Sequence, residues 1–189
     1  MRRLVVCSIV SLDGFSAGPG GDVTALPFDD GFDLYCAERL RAADIVLTGR
    51  SSYELLRSYW PGVADDPNAS DSEREVSRQH NAARQVVVSD SLTIGEDEPW
   101  SATTTVVRRA DAHATVRELL AANEILVFGS GTVWNDLLTA GLVGELHLLV
   151  GPTLLGAGIP VFRGPPTPLR LLEARQLDGS SLVLHRYSA

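Results

Sequence analysis

The sequence predicts an α/β domain, a mainly parallel central sheet flanked by helices and finished by an antiparallel C-terminal hairpin. Short apolar runs alternate with segments of helical periodicity as far as Gly141, and after Gly144 strand follows strand. The 189 residues contain no internal repeat and no low-complexity tract, which fits one domain over residues 1–189.

Residues 4–10 form the first strand, and Ser11-Leu-Asp-Gly-Phe15 turns the chain out of it into a glycine-rich loop, Gly18-Pro-Gly-Gly-Asp22. Asp29 and Asp30 precede Phe32, Tyr35, Cys36 and Leu40, the spacing of a helix with acids at its positive end. Residues 45–47 are the second strand, and Thr48-Gly-Arg-Ser-Ser-Tyr-Glu54 leads into another helix. From Trp60-Pro61 the composition turns polar, which predicts an exposed loop over residues 62–70 and a surface helix over 71–81, together an insertion rather than a domain. Residues 85–89, 103–107 and 125–128 are further strands, with helices after the last two. Residues 145–150, 169–176 and 181–187 close the pattern, the last two around the tight turn Asp178-Gly179.

A net charge of −8 argues against general attraction to nucleic acid or to an anionic membrane, so an anionic ligand must be met locally by arginines or backbone N–H groups. The first apolar run is too short for a membrane span and lacks a secretory cleavage pattern, so a cytoplasmic location is expected. Cys7 and Cys36 lie far apart in sequence and fit no metal spacing. The four histidines, His80, His113, His147 and His185, show no ligand pattern either, so no metal site is expected. His147 is expected on the wetter face of its strand.

Two strand-to-helix turns carry the chemistry. In Gly129-Ser-Gly-Thr-Val-Trp134 a glycine turn follows a buried strand, with Thr132 available as a cap. Free N–H groups there would suit a phosphate, although an ordinary connection fits equally well. Trp134 stands where the dinucleotide fingerprint needs glycine or alanine, and the turn lies late in the chain, which disfavours a standard Rossmann site. In the second turn Arg50 sits beside a helix N-terminus, where it opposes the macrodipole unless an anion neutralises it.

Taken in order, Ser11-Leu-Asp-Gly-Phe15, Leu47-Thr-Gly-Arg-Ser-Ser-Tyr-Glu54, Trp60-Pro61, Val86-Val-Val-Ser89, Val127-Phe-Gly-Ser-Gly-Thr132, Gly141-Leu-Val-Gly-Glu145 and Pro152-Thr-Leu-Leu-Gly-Ala-Gly158 resemble the dihydrofolate reductase-like superfamily, and within it the reductase domain of riboflavin-biosynthesis deaminase-reductases. The resemblance implies an NADPH-dependent reductase. Gly129, Ser130, Gly131 and Thr132 would line the cofactor diphosphate, and Thr48, Gly49 and Arg50 would hold phosphate at the second helix start. Ser89, with Arg108 or Arg109, would lie near the adenosine end, where arginine favours the 2′-phosphate.

The interval from Asp33 to Gly49 resembles that between the substrate-binding carboxylate and the matching glycine of dihydrofolate reductases. It makes Asp33 a candidate for orienting a pterin-like or pyrimidine-like ring, while its place in a first helical turn is also favoured by the dipole alone. Asp13 competes, because the first loop of this fold borders nicotinamide and substrate. Glu145 is expected as a strand-entry acid, and Tyr53 and Trp60 as pocket walls or core. The chain lacks a deaminase domain and its zinc ligands, and it contains no lysine to hold a phosphorylated substrate. The expected function is hydride transfer from NADPH to a small heterocycle by a homodimer, with residues 151–166 contributing a dimer face. A catalytically inactive, nucleotide-binding regulatory module is the alternative.

Overall fold

The computed structural model describes residues 3–189. Ten strands and five α-helices follow one another as β1 (Leu4–Ser11), β2 (Phe15–Ala17), α1 (Asp30–Arg41), β3 (Ile45–Gly49), α2 (Arg50–Tyr59), α3 (Asp71–Ala82), β4 (Arg84–Val88), β5 (Thr104–Val107), α4 (Ala112–Leu120), β6 (Ile125–Phe128), α5 (Gly131–Thr139), β7 (Glu145–Gly151), β8 (Ile159–Pro160), β9 (Arg170–Gln176) and β10 (Val183–Ser188). Eight strands form one sheet in the order β5-β4-β3-β6-β1-β7-β10-β9. From β5 to β7 every pairing is parallel, and β10 runs antiparallel to both β7 and β9.

The apolar runs are central strands because helices cover both faces of the sheet. Successive side chains point to opposite faces, so β1 sends Leu4 and Val6 one way and Cys7 and Ile9 the other, and β6 divides Ile125 and Val127 from Leu126 and Phe128. The first set packs with Ala112 and Val116 of α4 and Trp134, Leu137 and Leu138 of α5. The second packs with Tyr35, Cys36 and Leu40 of α1 and Val76 of α3. β9 is an open edge on which Leu171 and Leu172 are exposed.

The segment expected to be a surface insertion is instead part of the second core. Residues 60–65 form a 3-10 helix, and α3 buries Ser72 and Val76 toward α1 and Ser77 and His80 against that 3-10 helix. A capping box starts α3, with Ser70 Oγ accepting from Glu73 N and Glu73 Oε2 accepting from Ser70 N, so polar composition here marks a helix start rather than solvent. His147 is likewise fully buried, not on a wet face. Its Nδ1 pairs with Tyr35 Oη at 2.8 Å and its Nε2 with Glu145 Oε2 at 2.8 Å, and Glu145 is buried and bonded to Arg3 and Arg186. The chain locks α1 onto β7 through polar groups that satisfy one another.

Candidate functional site

The C-terminal ends of the parallel strands meet a cleft of about 690 Å³ between β1, β6, α1, α2 and α3. Its floor holds Cys7, Ser8 and Ile9 of β1 and Phe128 of β6, and its rim includes Ser52 and residues 129–131. Phe28, Phe32, Leu55, Tyr59 and Trp60 form the walls, with Phe28, Leu55 and Tyr59 exposed at the mouth. Large apolar side chains left open beside a concavity mark a surface that awaits a ligand.

Asp33 lies in this wall in the first turn of α1. That helix starts well: Asp29 caps it, Oδ1 accepting from Phe32 N at 3.0 Å, and Asp29 Oδ2 accepts from Ser180 Oγ at 2.7 Å. Gly31 lets the helix end approach the β9–β10 turn, since a Cβ there would stand 2.6 Å from Ser180 Cβ. A helix N-terminus alone would lower a carboxyl pKa by the equivalent of about 1 kcal/mol or less. Burial outweighs it and, with the charges of Glu73, Asp30 and Asp29, pushes Asp33 up to about 7. No hydrogen bond within the described residues relieves this carboxyl.

Asp13 sits elsewhere. Exposed, and absent from the cleft lining, it accepts from Ser11 Oγ at 2.6 Å, Gly156 N at 2.7 Å and Leu155 N at 3.1 Å. These bonds, the Ser11 hydroxyl first, draw it down to about 2. It ties the first loop to residues 153–158.

His80, Glu73 and the two cysteines are site residues that sequence reasoning missed. His80 lies in the cleft wall, stacked between Trp60 and Trp100 with ring centroids at 5.8 and 5.6 Å, and burial pushes it down to about 4. Its Nδ1 is enclosed without a hydrogen-bond partner. Glu73 lines the cleft too, held below the usual range by Ser70 N–H and the Tyr59 hydroxyl. Cys7 and Cys36, distant in sequence, come together between β1 and α1 as free, buried thiols, and burial raises Cys36. Only the alternation of β1 and the face of α1, read together, could have paired them.

The expected cofactor residues fall along the C-terminal edge of four adjacent strands: Gly129 after β6, Thr48 and Gly49 in β3, Ser89 after β4 and Arg108 after β5. At sheet spacing this row spans roughly 15 Å. The β6 and β3 turns are stitched together, Gly49 N donating to Ser130 Oγ at 3.0 Å and Ser130 N to Ser52 Oγ at 3.1 Å. Neither α2 nor α5 has a side-chain N-cap, so both starts present free N–H groups at one place. Ser130 itself is the N-cap residue of α5, held left-handed at φ 49°, and Gly129 precedes it at φ 52°. Thr132 is therefore not the cap; it lies inside the first turn.

Arg50 is not left for an anion to neutralise, because Glu54 one turn on takes its Nε at 2.9 Å and Ser91 Oγ its NH1 at 3.1 Å. Ser89 Oγ accepts from Leu92 N at 3.0 Å and Ser91 N at 3.2 Å, which fixes the turn beside it. Arg109 is 3.6 Å from Asp90, and Arg108 is exposed with no ion pair among the described residues. Tyr53 is core, its hydroxyl 3.0 Å from Thr104 Oγ1. Among the described residues no group of three or more His, Cys, Asp or Glu side chains is placed to hold a metal, and no helix is long and apolar enough to cross a membrane.

Residues 2–183 match the family model of the RibD C-terminal domain. Two uncharacterised proteins of Bacillus subtilis (strain 168) are each 26% identical to the chain: YyaP over 161 residues, 85% of this chain and 80% of that protein, and YwjB over 187 residues, 97% of both. Among solved structures, a putative riboflavin biosynthesis protein from Shewanella sp. PV-4 superposes with TM-score 0.68 at 20% identity, covering 98% of each chain. RibD from Acinetobacter baumannii gives 0.71 at 18% identity, all of this chain matching 58% of that one. A diaminohydroxyphosphoribosylaminopyrimidine deaminase/5-amino-6-(5-phosphoribosylamino)uracil reductase from Thermotoga maritima gives 0.66 at 14% identity, with 99% of this chain matching 56% of that one. With its dihydrofolate reductase-like sheet and its match over nearly every residue, the chain belongs to the RibD C-terminal domain family, that of the reductase domain of riboflavin biosynthesis enzymes.

Proposed function

We propose that this protein is an NADPH-dependent reductase of a small pterin-like or pyrimidine-like heterocycle. The observation that carries the reading is Asp33, a buried carboxyl with no hydrogen-bond partner among the described residues, in the wall of an apolar cleft whose rim is formed by two uncapped helix starts. The residues suit the cofactor on their own geometry. The N–H groups of Gly129, Ser130 and Gly49 are spent on Cys7 O, Ser52 Oγ and Ser130 Oγ, which leaves the uncapped first turns of α5 from Gly131 and of α2 from Arg50 to meet a diphosphate, while exposed Arg108 at the far end of the row would provide the charge that separates NADPH from NADH.

Bound there, the nicotinamide would supply a hydride to the carbon of a C=N or C=O bond. Asp33, which titrates near neutral pH, would serve the nitrogen or oxygen that gains the electron pair. The aromatic walls keep water from the reacting ring and fix its plane. Loss of NADPH absorbance on adding dihydrofolate or an aminopyrimidine, with an upward thermal shift on NADPH alone, is the expected result. A thermal shift with no turnover across such a panel would point instead to a binding module, and no shift at all would remove the cofactor assignment.

A further inference from the structure

The ionisable side chains that line the cleft supply no positive charge. Asp33 and Glu73 are its acids, of which Glu73 carries the full negative charge, no arginine among the described residues lines it, and the sequence has no lysine. Arginines on the surrounding helices are committed elsewhere. Arg57 lies over the Tyr53 ring at 5.3 Å and pairs with Glu98, while Arg74 bonds to Asp71 and to the carbonyls of Asp66 and Ala69. Arg50 is held by Glu54 and Ser91.

Glu73 is the fixed negative charge. Two donors, Ser70 N–H at 2.7 Å and Tyr59 Oη at 2.8 Å, stabilise its ionised form, so it meets any ligand as an anion. His80 adds no positive charge, because its burial between Trp60 and Trp100 keeps the imidazole neutral. The remaining surface is flat and apolar. Phe28 and Phe32 meet edge to face at 5.0 Å, and Tyr59 and Trp60 do so at 4.9 Å. The one part of the rim that faces an anion, at residues 129–131, is given to the cofactor.

We propose that the cleft takes a flat, unphosphorylated heterocycle, neutral or cationic, which lies against the Phe28–Phe32 and Tyr59–Trp60 walls with a hydrogen-bonding edge toward Asp33, and that it rejects substrates bearing a phosphoryl group. The proposal rests on the reductase reading above. It separates this chain from the phosphoribosylaminopyrimidine reductase for which the Thermotoga maritima neighbour is named. A phosphate monoester carries nearly two negative charges at neutral pH, and like charges in a partly dry cleft strongly disfavour one another.

The test uses a matched pair of probes, 5-amino-6-ribosylaminouracil with and without its 5′-phosphate, added to the full-length protein with NADPH present. Quenching of tryptophan fluorescence from the cleft wall reports binding, NADPH oxidation reports turnover, and a thermal shift with NADPH alone is recorded on the same samples. The unphosphorylated probe should bind at least about tenfold more tightly, with the gap wider at low salt. Glu73→Gln, which keeps a hydrogen-bonding side chain at the helix cap, should narrow that gap several-fold. Equal or tighter binding of the phosphorylated probe, or binding of neither while NADPH still binds, overturns the proposal alone. Absence of any NADPH response counts against the reductase reading itself.

Discussion

Replacing Asp33 with asparagine removes a carboxyl that the fold keeps from water. That carboxyl titrates near 3.8 in an unfolded chain and near 7 in the cleft. Between those values the native protein holds a proton that the unfolded chain has released. The cost of the acid is therefore absent below the unfolded value, grows as pH rises and is complete above about 7. At about 1.4 kcal/mol per pH unit the displacement sets a ceiling of about 4 kcal/mol. The carboxyl borders an open cleft where solvent screens it, so about 2 kcal/mol is the expected effect. Asp33→Asn should thus exceed the parent in stability by about 2 kcal/mol near pH 8, a gain of about 4–8 °C in Tm, and match it near pH 4. Urea denaturation of both proteins across this range, with equal m values, measures the gap. The same variant should lose at least about a hundredfold in turnover if Asp33 handles the proton. A stability gap that does not change with pH, or a parent more stable than the variant at pH 8, would refute the burial argument whatever the kinetics show.

Other perturbations follow from the same structure. Ser130→Ala removes the acceptor for Gly49 N–H and should weaken NADPH binding about fivefold by calorimetry, the equivalent of about 1 kcal/mol. Arg108→Ala should raise the Kd for NADPH while leaving that for NADH nearly unchanged, and an equal effect on both would remove the arginine from the 2′-phosphate. Asp13→Ala frees the 153–158 loop and should lower Tm at neutral pH. That difference should vanish as pH falls through about 2, because a depressed carboxyl stabilises only above its folded value. Gly31→Ala drives a Cβ against Ser180 Cβ and the Asp178 carbonyl and should cost about 1–3 kcal/mol in chemical denaturation, with turnover falling as the start of α1 shifts.

The framework was legible because the central strands are covered on both faces and so appear as unbroken apolar runs, as in residues 45–47 and 125–128. The glycine turn at 129–131 and the Thr48-Gly49 turn were legible for a related reason, since each ends such a run. What stayed hidden depends on contacts between distant segments. Residues 60–82 looked solvated because Ser70, Asp71, Ser72 and Glu73 are spent on a helix start, while Val76 and His80 face inward at helical spacing amid charge. Arg50 read as uncompensated beside its helix start because the sequence pattern was weighed without Glu54, its i+4 partner on the same helix face. His147 looked half wet because a strand alternation cannot reveal that α1 delivers Tyr35 and β10 delivers Arg186 to the same buried network.

Asp13 and Asp33 state the point most sharply, because the side chains are identical and both stood as candidates. Asp13 follows a serine whose hydroxyl reaches it and meets two N–H groups brought from about 140 residues away. Three donors leave its negative charge better solvated by protein than by water, so it is a strong acid with little reason to exchange a proton near neutral pH. Asp33 meets three other acids, apolar walls and, among the described residues, no donor. Its charged form is the unfavourable one, and a ligand edge that hydrogen-bonds to it would supply what the protein withholds. The difference lies in partner supply, which is set by tertiary contacts and by burial. An unpaired acid is costly to keep in a folded wall, and the cleft that holds it is open at the mouth, aromatic along the sides and bordered by free N–H groups. Such a combination is explained more economically by a ligand-binding wall than by stability, because on stability alone an asparagine at position 33 would serve better at every pH above the unfolded value.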